Sequence, residues 1–154
     1  MKEDLFLIKA QIDDADLLFK WINEPSVRAQ SYSNNLVKYE EHMAWFSKKM
    51  QDRNCYIYLG KLRQEPIGMI RFDIANDEVL ISYLIDEQFR GKGLGYSLVE
   101  KGVKNFLLES NFGGIIKASV KKSNIPSVKV FQKLLFEKMQ NNVYPDSFLF
   151  IKKI

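Results

Sequence analysis

RGKGLG, Arg90 to Gly95, places Gly91, Gly93 and Gly95 in alternation among basic residues. Upstream lies the apolar, strand-like run VLISYLID, Val79 to Asp86. Downstream, Leu94, Leu98, Val103, Phe106 and Leu107 recur at a spacing that makes one helical stripe from Leu94 to Glu109. A strand that stops just before a helix leaves the first helical N–H groups without acceptors. Glycines let neighbouring amides turn inward with no Cβ in the way. The helix end adds partial positive charge, and Arg90 and Lys92 add full charges at the rim. The chemistry offered is capture of a phosphate or pyrophosphate. The same turn also serves a change of chain direction that binds nothing.

Two phosphate motifs do not fit. A Walker loop closes on Lys followed by Ser/Thr, which RGKGLGYS lacks, and a dinucleotide fingerprint reads GxGxxG where this chain has GxGxG. His42 is the only histidine and Cys55 the only cysteine, which argues against a zinc site built from such ligands and excludes internal disulfides. Cys55 reads as a buried strand residue. Asp13, Asp14 and Asp16 read as the acidic start of a helix, so no metal is expected.

These residues need elements to hold them. The 154 residues are 46% hydrophobic, enough for one domain with a core, 1–154. The sequence predicts a strand at Leu5–Ile12, then a helix in IDDADLLFKWINEP that Pro25 stops. An irregular stretch, SVRAQSYSNNLV, leads to a second helix in YEEHMAWFSKKMQ. Two strands follow, joined at Arg63 to Glu65, then a turn at Asn76 to Glu78 and the VLISYLID strand. After the glycine turn and its helix come a strand centred on Ile116, a helix in SNIPSVKVFQKLLF, and a hairpin around Pro145 and Asp146. The order β-α-α-β-β-β-α-β-α-β-β is mixed α/β, a twisted sheet of about seven strands covered by helices. The net charge of +4 is scattered, with no basic stripe for nucleic acid. No apolar run is long enough to span a membrane, and the expected compartment is cytoplasmic.

With these residues in view the chain resembles the GNAT superfamily of acyl-CoA N-acyltransferases. Arg90, Gly93 and Gly95 in QFRGKGLG match one family signature, and Asn124, Ser127, Phe131 and Phe136 in NIPSVKVFQKLLF match a second. The resemblance implies acetyl-CoA in a splay between the fourth and fifth strands. It places the pantetheine arm on the backbone of Leu84 and Ile85 and the pyrophosphate on the amides from Gly91 through Leu94 to Gly95. Asn124 and Ser127 then border the pantetheine, and Phe131 lies near the thioester sulfur. It implies direct attack by an amine in a ternary complex, with no acyl-cysteine. Two positions depart from the family: Phe131 where many relatives carry tyrosine, and Leu135 where glycine is usual.

Transfer to an amine calls for a base. Glu78 opens the fourth strand and shares a face with Leu80, Ser82 and Leu84. Glu78 is the candidate base, directly or through water, and Ser82 orients water or amine; Glu78 as an exposed turn residue is the other reading. Tyr83 faces the opposite side, in the core or offering its hydroxyl to substrate. For the acceptor, Asn23, Glu24, Arg28, Ser31, His42, Trp45, Phe46 and IGMIRFD resemble acetyltransferases of nucleotide-linked 4-amino-4,6-dideoxy sugars in pseudaminic acid and related pathways. That implies Arg28 on a diphosphate, His42 on a phosphate or hydroxyl and Trp45 under a ring; Arg28 as a surface cap and Trp45 as core are the plainer readings. An acetyltransferase of protein N-termini, a non-catalytic acyl-CoA-binding domain and a nucleic-acid binder are the rivals. A monomer or a homodimer suits the sequence.

Overall fold

The computed structural model describes residues 4–33 and 35–154. Its elements are β1 (Leu5–Lys9), a 3-10 turn (Ile12–Asp14), α1 (Ala15–Ile22), α2 (Pro25–Gln30), α3 (Tyr39–Gln51), β2 (Cys55–Leu62), β3 (Glu65–Ala75) and β4 (Glu78–Ile85). A second 3-10 turn (Glu87–Phe89), α4 (Leu94–Ser110), β5 (Ile115–Lys121), α5 (Ile125–Lys133), β6 (Glu137–Gln140) and β7 (Ser147–Lys153) follow. The strands form one sheet in the order β1-β2-β3-β4-β5-β7-β6. Among the described strands only β4 and β5 pair in parallel. The expected mixed α/β class and element order hold, with one addition.

That addition is α2. Pro25 does not stop a helix; it begins one, at a position where its missing N–H costs nothing. α1 already ends at Ile22, and Glu24 is extended before Pro25 (ψ 134°). Two elements are shorter than expected: β1 stops at Lys9, and α5 occupies only Ile125–Lys133.

Strand alternation divides the sheet into two faces. Ile70 and Phe72 of β3, Val79, Ile81 and Ile85 of β4, and Ile116, Ala118 and Val120 of β5 pack on one face with Leu98 and Phe106 of α4 and Val128 and Phe131 of α5. Phe72 and Phe106 stack with centroids 4.4 Å apart. On the other face Leu18 and Trp21 of α1 and Phe46 of α3 cover Ile57, Leu59 and Met69. This second cover meets β4 at Leu84 and leaves Leu80 and Ser82 exposed. Among the described residues no helix is long and apolar enough to cross a membrane.

Candidate active site

β4 follows β3 along its whole length, and β5 follows β7. Between β4 and β5 only Glu78–Leu80 and Ile115–Lys117 pair, and beyond them the strands part. The Asp86 amide donates to the Ile67 carbonyl, toward β3, at 2.8 Å. Backbone groups alternate sides along a strand, so Leu84 also faces β3 while Ile81, Tyr83 and Ile85 face the gap. A Cβ on Gly68 of β3 would stand 2.3 Å from the Leu84 carbonyl oxygen, which agrees. The edge expected from Leu84 is therefore supplied by Tyr83. The Ile85 carbonyl accepts from Arg90 Nε at 3.0 Å, leaving its N–H toward the gap.

The glycine turn closes the mouth of this gap. Gly91 (φ 77°) and Gly93 (φ 75°) adopt the left-handed conformation that side chains avoid. Gly93 caps α4 without a side-chain hydrogen bond, and no acid occupies the first turn. The first amides of α4 are thus open to an anion, and the Leu94 side chain is anchored in the core. A Cβ on Gly95 would meet the Tyr83 ring at 3.5 Å, so the turn lies against β4. Orphan amides beside an unfilled strand edge fit a pyrophosphate with an extended arm. Lys92 Nζ lies 5.5 Å from the centre of the Phe89 ring. Arg90 is occupied within the protein: its Nη2 lies 2.5 Å from Glu24 Oε2, and Nη1 reaches Ser26.

On the α5 side of the gap, Asn124 Oδ1 caps the helix by accepting the Ser127 amide at 3.4 Å. Ser127 Oγ accepts the Tyr83 hydroxyl at 3.0 Å. Burial raises the Tyr83 phenol above its ordinary value, more than this hydrogen bond lowers it, so the proton is retained. Phe131 is 1% exposed and lies among the rings of Tyr83, Phe136 and Phe150.

The opposite face of β4 is open. Arg71 stands across from Ser82 and Asp73 across from Leu80. The Arg71 guanidinium lies 5.1 Å from the Trp45 ring centre, and its Nε donates to Asp73 Oδ2 at 2.8 Å. Lys49 Nζ reaches Asp73 Oδ1 at 3.0 Å. Burial disfavours the Asp73 carboxylate, but Arg71 and Lys49 outweigh it and hold its pKa below the ordinary value. Burial, then the Asp73 charge, pushes the neighbouring Cys55 thiol up to about 12. Lys117 pairs with Glu78 at 2.9 Å. Tyr32 spans the far side, its hydroxyl 2.6 Å from Ser119 Oγ and 2.8 Å from Ser147 Oγ.

Residues 4–137 match the acetyltransferase (GNAT) domain. The chain belongs to that family. Its acyl donor is acetyl-CoA, as the fit of the cradle to a pyrophosphate with an extended arm agrees. It is 27% identical over 120 residues to acetyltransferase PseH of Campylobacter jejuni, covering 77% of this chain and 74% of that one. A domain from Methanocaldococcus jannaschii superposes with a TM-score of 0.83 at 23% identity, covering 97% and 98% of the two chains. Spermidine N-acetyltransferase from Vibrio cholerae, in complex with CoA and spermine, gives 0.86 at 15% identity over 98% and 96%. These two likenesses show the fold.

Within this acetyltransferase the sequence-derived acceptor residues separate. Trp45 reaches the open face beside Arg71. Arg28 does not: its Nε donates to the Ile22 carbonyl at 2.6 Å, and its other nitrogens bind the Ser33 and Asn35 carbonyls and Ser31 Oγ. Its bond to Ile22, the last residue of α1, caps that helix as the plainer reading had it, and its other contacts fasten the chain after α2. His42 is 1% exposed, with Nε2 2.9 Å from the Ala15 carbonyl oxygen, and lies beneath Phe19 and Phe46. A core histidine cannot meet an acceptor without disrupting α1 and α3. Glu78 and Ser82 share a face but stand about 13 Å apart along β4, so no single atom meets both directly.

The contacts of several residues escaped the sequence reading. Trp21 Nε1 donates to Asp86 Oδ2 at 2.8 Å, pinning the end of β4 from α1. Glu24 anchors Arg90, and Arg71 joins Trp45; all three contacts cross the chain at long range, and the first two leave no local signal. Only Arg71 had one, its alternation with Met69 and Asp73 on β3.

Proposed function

We propose that this acetyltransferase moves the acetyl group of acetyl-CoA to the primary amine of a nucleotide-linked 4-amino-4,6-dideoxy sugar. The observation that carries this reading is the charge of the open face. Arg71, Lys49, Lys117 and Lys121 lie there with Asp73 and Glu78, and each of these carboxylates is already paired with a cation. Such a face suits a phosphorylated acceptor and repels a polycation. The 27% identity to PseH and the acceptor-side resemblance of Trp45 and IGMIRFD support the same acceptor.

Bound acetyl-CoA supplies an activated thioester carbonyl. The amides of Gly93 to Gly95 hold its pyrophosphate, with Gly91 shaping the turn. The Tyr83 backbone and the Ile85 N–H hold the arm as an added strand does, and an N–H at this edge steadies the developing oxyanion. Asn124 and the Ser127–Tyr83 hydroxyl pair line the other wall. Ser82 orients the incoming amine. Glu78, at its distance, draws the proton through water. The N–C bond forms as C–S breaks, and the retained phenolic proton of Tyr83 lies on the wall where the thiolate departs.

The experiment is a product assay with acetyl-CoA and four amines: a uridine-diphosphate-linked 4-amino sugar, kanamycin, spermine and a peptide with a free N-terminus. Acetylation of the nucleotide sugar well ahead of the others is the expected result. Preference for the peptide or a polycation overturns the acceptor assignment. Glu78→Gln lowers turnover near neutral pH and recovers at high pH, where the amine is already deprotonated; equal turnover at all pH values removes Glu78.

A further inference from the structure

Arg71 is built like a receptor for an oxyanion. Its planar group is held over Trp45, and one edge is fixed by Nε to Asp73, which Lys49 holds in turn. Its Nη edge makes no hydrogen bond among the described residues, although the side chain is only 27% exposed. A guanidinium so oriented has little rotational freedom left to lose, and two parallel donors match two phosphate oxygens. Its register partner Ser82 is on the unpaired part of β4, just past the last β4–β5 pair. Arg71 therefore lies one strand from the place where the sheet opens, on the face away from α4 and α5.

We infer that Arg71 is the specificity-determining residue for the acceptor, its Nη edge gripping a phosphoryl group while the amine reaches into the gap beside Ser82. This rests on the reading of the acceptor as a nucleotide-linked sugar. Trp45 keeps the fork flat, and Asp73 with Lys49 sets its direction. The arrangement takes over the role that the sequence had assigned to Arg28. It also selects against an ammonium-rich acceptor, whose charges meet a guanidinium where they need a carboxylate.

The test uses wild type, Arg71→Met and Arg71→Lys. With the uridine-diphosphate-linked 4-amino sugar, R71M raises the acceptor KM at least tenfold and changes kcat far less, and CoA affinity is unaltered. R71K, with charge but no fork, falls between. Uridine diphosphate competes with the acceptor in wild type and tenfold more weakly in R71M. An unchanged acceptor KM in R71M, or equal inhibition of both proteins, overturns the inference even if the nucleotide sugar is the substrate. If wild type acetylates no nucleotide sugar, the acceptor reading fails separately. Calorimetry with inorganic pyrophosphate on CoA-loaded protein then decides Arg71: binding lost in R71M supports the anion site, and binding that is absent from wild type or equal in both ends it. If R71M fails to fold, R71K carries the same comparisons.

Discussion

Arg90 and Glu24 lie 66 residues apart and meet through two hydrogen bonds, Nη2 to Oε2 at 2.5 Å and Nη1 to Oε1 at 3.2 Å. The contact ties the start of the glycine turn to the residue that precedes α2. It also makes the turn sensitive to acid. Burial opposes ionisation of Glu24, but hydrogen bonds from Arg90 and Ser26 and the Arg90 charge hold its pKa below the ordinary 4.5. A carboxyl lowered on folding adds stability above its unfolded value and loses it as pH falls through the folded one. Glu109, bonded to Lys9 and Tyr58, is lowered too, and Asp73 has the same sign. Stability to urea is therefore level from about pH 5 to about pH 8 and falls on acidification. Glu24→Gln makes that fall shallower and costs about 1 kcal/mol at pH 7; an unchanged slope refutes the linkage.

Gly95→Ala separates folding from donor binding. Gly95 lacks a positive φ, and an added Cβ meets Tyr83 and Val130 at ordinary contact distances of 3.5–3.7 Å. Alanine also favours the helix by up to about 1 kcal/mol. The variant keeps or gains thermal stability, yet its methyl enters the wall of the gap. Calorimetry shows CoA binding weakened about tenfold, a loss of about 1.4 kcal/mol. An unaltered Kd places the ligand elsewhere.

Leu135→Gly stabilises the protein. Leu135 has φ 65° and is 83% exposed, so its side chain gains little while its backbone is strained. Left-handed geometry costs a non-glycine residue about 1–2 kcal/mol, offset in part by the looser unfolded chain that glycine gives. The net gain is about 0.5–1 kcal/mol, seen as a rise of about 2 °C in Tm. A fall in Tm sinks this account.

Cys55 is chemically quiet. A thiol pushed up to about 12 holds almost no thiolate at neutral pH. Folded protein therefore reacts with an aromatic disulfide reagent at pH 8 at least tenfold more slowly than urea-unfolded protein. Cys55→Ser retains turnover, and no acetyl adduct appears on this residue by mass spectrometry. A trapped acetyl-cysteine contradicts direct transfer.

What the sequence disclosed was local. The glycine turn announces itself because backbone geometry restricts each position: Gly91 and Gly93 occupy a conformation few residues tolerate. Helical spacing exposed α4, and Asn124 with Pro126 marked the start of α5. Side chains that depend on distant partners were misjudged. His42 looked polar and available, but its environment comes from Phe19, Phe46 and the Ala15 carbonyl. Arg28 carries the right charge for a diphosphate, yet its nitrogens close a nearby backbone loop. Arg71 was hidden for the opposite reason: nothing in β3 alone reveals that Trp45 of another element lies over it. Alternation gave the faces of β4, but which amides point into the gap depends on its pairing with β3.

The parted strands divide the sheet into β1–β4 and β5–β7, each a continuous stretch of chain, joined by three register pairs and bridged by α4. If the donor's arm lies between them as proposed, it hydrogen-bonds to both shores at once, and occupancy is written into amide deuterium exchange. Protection at Tyr83 and Ile85 should rise in step with protection at Ser119, though the two margins come from separate hydrogen-bonding neighbourhoods. On that proposal the donor completes the part of the sheet that β4 and β5 leave open.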